Sequence, residues 1–143
     1  MSGLHPIADY IRFFETLSPD SLVRLPALVT NDVVFRDPFN DVRGIDPMRR
    51  VFERMLADVA DPRFVVSAVA REGDIAFLRW RFTGRTRGAA GGPLALEGVS
   101  EIHLAEDGRV SGHIDHWDAA GQLYERLPLL GWLLRRVRRR LAA

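Results

Sequence analysis

The order of patterns along the chain predicts an α+β fold: a curved antiparallel sheet, cone-like, packed on amino-terminal helices, with an extra amphipathic helix at the carboxyl end. Three observations carry that expectation. Apolar residues recur at helical spacing as far as Val59, short branched and aromatic runs take over from Arg63, and turn residues separate those runs closely enough for antiparallel pairing. Helices followed by a strand meander imply helices laid on one face of a sheet.

Ile7, Tyr10, Ile11 and Phe14 share one face of a first helix between His5 and Leu17. Ser18 then offers an N-cap oxygen and Pro19 suits the first helical position, so Leu22, Leu25, Leu28 and Val29 continue as a second helix, distorted at Pro26. Asp32 to Asp37 alternates in character, which predicts a short strand ended by Pro38. A loop through Asn40 and Gly44 leads to Asp46 and Pro47, where the cap-then-proline signal recurs. Met48, Val51, Phe52, Met55, Leu56 and Val59 mark the third helix.

Four strands are expected next, over Phe64 to Arg71, Ile75 to Arg85, Leu94 to Ala105 and Arg109 to Asp118. Glu72-Gly73-Asp74, the stretch from Gly88 to Pro93, and Glu106-Asp107-Gly108 supply the turns. Leu78, Trp80 and Phe82 should face the helices while Arg79 and Arg81 face outward. From Leu123 to Leu141 the chain reads as an apolar-then-basic helix broken near Pro128 and Gly131. The expected organisation is one domain, residues 1–122, with a tail, residues 123–143, packed on it.

A chain of 143 residues can bury a core without staples. Its 47% hydrophobic and 27% charged residues exclude disordered and fibrous classes. The absence of cysteine excludes disulfides, thiolate nucleophiles and cysteine-ligated metal. No basic-then-apolar leader and no long apolar run are present, so the expected setting is cytoplasmic. All 20 basic residues are arginine, a bias expected of a GC-rich bacterial genome, and five of them, Arg135, Arg136, Arg138, Arg139 and Arg140, crowd the last turns. Those five outweigh the formal charge of +1, which leaves the rest of the chain acidic.

Three stretches carry a family resemblance: Val34-Phe35-Arg36-Asp37-Pro38-Phe39 with Gly44 following; Gly98-Val99-Ser100-Glu101-Ile102 leading to Glu106-Asp107-Gly108-Arg109-Val110; and His113-Ile114-Asp115-His116-Trp117-Asp118. With the element order they resemble the nuclear transport factor 2-like superfamily, in its SnoaL-like and ketosteroid isomerase-like branches, over nearly the whole chain up to Tyr124. The resemblance implies a pocket wrapped by sheet and helices and a homodimer through the outer sheet face. Activity is not implied, because the superfamily holds isomerases, cyclases, hydrolases, dehydratases and members without catalysis.

Asp37 matches the general base of ketosteroid isomerases, which moves a proton beside a carbonyl whose developing charge needs a donor. The isomerase's donor tyrosine matches Phe13 and its donor aspartic acid matches Ser100, a departure that disfavours steroid isomerisation; Tyr10, one turn away, is the alternative hydroxyl. A plain structural role, accepting backbone hydrogen bonds beside Pro38, is the other reading of Asp37. In the last strand, alternation puts His113, Asp115 and Trp117 on one face, where histidine beside carboxylate can pass protons or simply form a satisfied core pair. His113 and His116 fall on opposite faces and cannot share a metal, and no phosphate loop is present, so neither metal nor cofactor is expected.

Phe14, Phe35, Phe52, Met55, Trp80 and Trp117 complete the expected pocket, with Tyr10 and Ser100 as polar substrate contacts. The function expected is a pocket for a small apolar carbonyl or hydroxyl compound, with Asp37, His113 and Asp115 as proton-transfer groups of an isomerase, cyclase or lyase. A non-catalytic binding module and a dimeric scaffold are the alternatives. The arginine-rich tail carries no aromatic stacking platform, which argues against nucleic acid. Leucines packed on the domain are preferred for it over contact with a membrane surface.

Overall fold

The computed structural model describes residues 6–88, 91–123 and 128–142. Helix α1 (Pro6–Glu15) leads into a 3-10 turn (Asp20–Arg24) and the short α2 (Leu25–Leu28). Strands β1 (Val29–Arg36) and β2 (Asp41–Arg43) precede α3 (Ile45–Asp58), and the meander follows as β3 (Val59–Glu72), β4 (Ile75–Thr86), β5 (Pro93–Leu104) and β6 (Val110–His116). Two helices, α4 (Ala119–Gln122) and α5 (Pro128–Leu141), close the chain. Helix α5 runs unbroken through Gly131, where a break is expected, and residues 124–127 of the expected tail lie outside the described ones.

The second expected helix is broken into two pieces. Ser18 and Ser21 exchange hydrogen bonds, each side chain accepting from the other's amide at 2.9 and 3.1 Å, which satisfies the start of a tight turn. Pro26 lacks an amide hydrogen and sits in the first turn of a new helix, so the path restarts at Leu25. Val29, expected to be helical, is extended at φ −125° and ψ 157° and opens β1. The stretch Asn40 to Gly44, expected to be loop, contains β2, which turns back on β1 through Asp37 N–H to Asn40 O at 2.9 Å.

The strands lie in the order β2-β1-β6-β5-β4-β3. The meander and the β1–β2 pair are antiparallel as expected, while β1 runs parallel to β6, so the open sheet as a whole is mixed. Its curvature has a local cause. In β3 the pairing passes from Val66–Trp80 to Ala68–Arg79, leaving Ser67 over, and again skips a residue between Ala60 and Arg63, where Asp61 takes φ 52°. In β6 it passes from Val110–Leu104 to Gly112–His103, leaving Ser111 over. Each surplus residue bends and twists its strand.

Helices α1 and α3 cover the concave face. Ala76, Leu78, Trp80 and Phe82 of β4 are buried under them while Phe77, Arg79 and Arg81 face out, the alternation the sequence shows. Phe14 holds the centre, in edge contacts with Tyr10 at 5.0 Å, Phe13 at 5.2 Å, Phe52 at 5.3 Å and Phe64 at 5.8 Å. Each fully buried side chain of this kind contributes about 1.5–3 kcal/mol. The opposite face exposes Val65 and Phe77.

Candidate functional site

A cavity of about 700 Å³ opens between α3, the β1–β2 turn and the concave face. Its walls are mainly apolar, with Phe35, Phe52, Met55, Trp80, Leu96 and Trp117 among them. A volume and lining of this kind fit a small organic guest. Behind it lies a pocket of about 30 Å³, room for about one water, bordered by Phe14, Ser100 and His113. Phe52, Phe64, Trp80 and Asp115 border both spaces.

Five residues from four elements form one hydrogen-bonded chain at that boundary. The pleat of β6 turns His113 and Asp115 to the concave side, and the β5–β6 register sets Ser100 opposite Asp115. The Trp80 indole N–H donates to Ser100 Oγ at 2.9 Å, and the Ser100 hydroxyl donates to Asp115 Oδ1 at 2.5 Å. His113 Nε2 meets the same Oδ1 at 2.7 Å, and His113 Nδ1 meets the Tyr10 hydroxyl at 2.6 Å. His113 is buried and Asp115 keeps 18% of its side chain exposed.

Hydrogen-bond logic orients the chain. Tyr10 is fully buried, and burial, with the Asp115 charge adding to it, holds its hydroxyl pKa well above the ordinary phenol value. The hydroxyl therefore keeps its proton, and His113 Nδ1 is its one acceptor among the described residues. With the phenol donating to Nδ1, the imidazole hydrogen lies on Nε2, directed at Asp115. Oδ1 of Asp115 thus accepts two hydrogen bonds, and Oδ2 accepts none among the described residues. A carboxylate in this state offers one unclaimed oxygen on the residue that borders the cavity, the arrangement a general base requires.

Asp37 lines the cavity but its oxygens are occupied. Oδ1 accepts from the Phe39 amide at 2.8 Å, the Asn40 amide at 2.7 Å and the Asn40 side chain at 3.0 Å, and Oδ2 accepts from that side chain at 3.2 Å. It serves as the acceptor that shapes the β1–β2 turn. Tyr10 does not reach the cavity; its hydroxyl stands behind His113. Phe13 is buried beside Phe14. Phe35, Phe52, Met55, Trp80 and Trp117 form the main cavity wall, whereas Phe14 and Ser100 border only the rear pocket.

Arg50 and Arg54, one turn apart on the exposed side of α3, also line the cavity, with Asp58 nearby in the lining. Neither arginine makes an ion pair among the described residues, so both are available to an anionic group on a guest. Nothing in the sequence singles them out, because a charged helix face ordinarily signals only solvent. Among the described residues no group of three or more metal-ligating side chains is placed to hold an ion. His116 lies on the outer face, 3.2 Å from Glu101, away from His113 as alternation requires.

A family model described as the SnoaL-like domain matches residues 10–113. A search of curated protein sequences finds no relative. Among solved structures, a protein with a ketosteroid isomerase-like fold from Catenulispora acidiphila, in complex with trimethylamine, superposes with TM-score 0.69 at 15% identity, covering 82% of this chain and 88% of its own. A putative SnoaL-like polyketide cyclase from Jannaschia has TM-score 0.68 at 19% identity, over 81% of this chain and 87% of that one. An NTF2-like protein of unknown function from Burkholderia pseudomallei has TM-score 0.70 at 16% identity, over 85% and 94%. At such identities the likeness carries the fold.

Proposed function

The chain belongs to the SnoaL-like domain family, and from that premise we propose that it is a proton-transfer enzyme of the isomerase, cyclase or lyase kind, with Asp115 as the base. The observation that carries this reading is the hydrogen-bonded chain from Tyr10 and Trp80 that ends on one oxygen of Asp115 and leaves the other unclaimed. His113, Tyr10 and Ser100 hold the carboxylate in place; Asp115 Oδ2 takes a proton from a carbon next to a carbonyl and returns it to a neighbouring atom. Asp37 drops out as the base because its lone pairs shape a turn.

The guest is a small, mainly apolar carbonyl or hydroxyl compound, and an anionic substituent on it would be met at the mouth by Arg50 and Arg54. The trimethylamine complex of the Catenulispora relative supports a pocket of this fold taking small organic molecules. The same reading includes a homodimer through the outer face, where Val65 and Phe77 are exposed, and a bacterial cytoplasmic setting.

Apolar ketones with exchangeable α-hydrogens, incubated with the protein in deuterated buffer and followed by proton NMR, test the base directly. Wild-type protein is expected to catalyse exchange of at least one ketone that stabilises it in a thermal-shift assay. Asp115→Asn should lower that rate by about a hundredfold or more while binding persists. An unchanged rate in Asp115→Asn removes Asp115 as the base. The second reading, binding without chemistry, is favoured by the absence of any unpartnered buried side-chain polar atom among the described residues. Ligands that stabilise the protein with no exchange in any of them decide for that reading.

A further inference from the structure

Helix α5 is fastened to the rest of the chain on one side. Gly131 is buried, and Arg138 reaches Asp118 at 3.6 Å. Asp118 in turn caps α4 through the Gly121 amide at 2.8 Å, one residue beyond Trp117 of the cavity wall. Away from this anchor α5 carries two unlike stripes. Leu133, Val137 and Leu141 follow one another at i, i+4 and i+8 and are 51, 47 and 82% exposed, while Trp132, also exposed, stands among the arginines. Arg135, Arg136, Arg139 and Arg140 are exposed around them, Arg136 standing over the Trp132 ring at 5.5 Å, and α5 contains no acidic residue.

The expectation that the tail packs its leucines on the domain is not met at Leu133 or Leu141. The fastened side of the helix is that of Gly131 and Arg138, turned away from the leucine stripe. A second copy of α5 is a poor cover, since it would bring two arginine clusters together. Nucleic acid would meet the arginines and leave the apolar stripe in water. An anionic lipid surface satisfies both stripes at once: leucine, valine and tryptophan enter the boundary of the acyl region while guanidinium groups meet phosphates. With 14 residues α5 is about 21 Å long and lies along such a surface. No helix among the described residues is long and apolar enough to cross a membrane.

We propose that α5 is an interfacial anchor that docks the protein on a bilayer rich in anionic phospholipid, with the cavity wall at Trp117 tethered close to that bilayer. The test mixes the full chain with vesicles of phosphatidylcholine alone and of phosphatidylcholine with phosphatidylglycerol, followed by sedimentation and tryptophan emission. Binding is expected only to the anionic vesicles, with a blue shift that Trp132→Phe removes. Replacing Arg136, Arg139 and Arg140 together by Gln should weaken partition by about fivefold per arginine, roughly a hundredfold in all. Leu133→Ser with Val137→Ser should abolish the blue shift, and both sets should melt at the wild-type temperature because the side chains are exposed. Equal sedimentation with both vesicle types, none with either, or variants that bind like wild type would overturn the proposal. So would gel filtration in which Leu133→Ser with Val137→Ser splits a lipid-free dimer, since the stripe would then be a protein interface.

Discussion

The hydroxyl of Tyr10 on α1 lies 2.6 Å from Nδ1 of His113 on β6, a contact across 103 positions of sequence. It makes the first helix part of the site, because the imidazole's tautomer depends on that phenol. Tyr10→Phe keeps the ring's edge contact with Phe14 at 5.0 Å and leaves a buried imidazole nitrogen without a donor. The expected cost is about 1–3 kcal/mol, read as a fall of roughly 3–9 °C in melting temperature. A variant as stable as wild type would show that the hydroxyl contributes nothing to holding His113.

Asp37→Asn separates turn-shaping from chemistry. The amide can still accept from Phe39 and Asn40, but as a weaker acceptor, so stability should fall by about 1 kcal/mol. The exchange rate in deuterated buffer should stay within about threefold of wild type, against a loss of about a hundredfold for Asp115→Asn. Comparable losses in the two variants would restore Asp37 as a participant.

Gly98 faces Trp80 across the β4–β5 pair, and a methyl group there would stand 2.6 Å from Trp80 Cζ2, 2.8 Å from the His116 carbonyl oxygen and 2.9 Å from Trp117 Cβ. Backbone and a Cβ are both in the way, so Gly98→Ala must part β5 from β6 at His116 and Trp117 as well as displace the Trp80 indole. A loss of about 1–3 kcal/mol is expected on denaturant unfolding, together with weaker binding of whichever ketone stabilises the wild type. Unaltered unfolding and binding would mean the strands part without cost.

On the outer face Glu101 accepts from His103 at 2.6 Å and from His116 at 3.2 Å, and those hydrogen bonds hold its carboxyl below the ordinary glutamate range. A carboxylate with a depressed native pKa adds stability that is present above the unfolded value and lost as pH falls through the native one. Melting temperature measured downward from about pH 6 should therefore drop below about pH 4.5 less steeply in Glu101→Gln than in wild type. The difference is small because the group is partly exposed and water screens it. Parallel curves would show that the two histidines do not bias Glu101.

Strand and helix identity were legible where local chemistry is strong. Gly73 and Gly108 take φ of 59° and 87°, and the turns around them delimit β3–β4 and β5–β6 where glycine and acidic residues cluster. Met48, Phe52 and Leu56 announce α3, and all three are buried. Which of Asp37 and Asp115 keeps an oxygen without a partner was not legible, because both are carboxylates at strand ends and only three-dimensional neighbours distinguish them. Asn40, three residues on, was the available hint that Asp37 is spoken for. Tyr10 is legible as the alternative hydroxyl one turn from Phe13, both on the buried side of α1, but its pairing with His113, 103 positions away, is not. Ser100 is legible only through family resemblance, since counting back from the Glu106-Asp107-Gly108 turn with no surplus residue places it opposite Ile114, not Asp115.

That surplus residue, Ser111, acts as a parity bit for the last strand. With it, His113 and Asp115 are inside and Ile114 and His116 outside; an evenly paired hairpin of the same composition would exchange the two sets. Catalytic potential could thus pass from interior to exterior, or back, without any change in residue types. Relatives of this chain are therefore better grouped by the phase of this hairpin than by the mere presence of a histidine and an aspartate near its end.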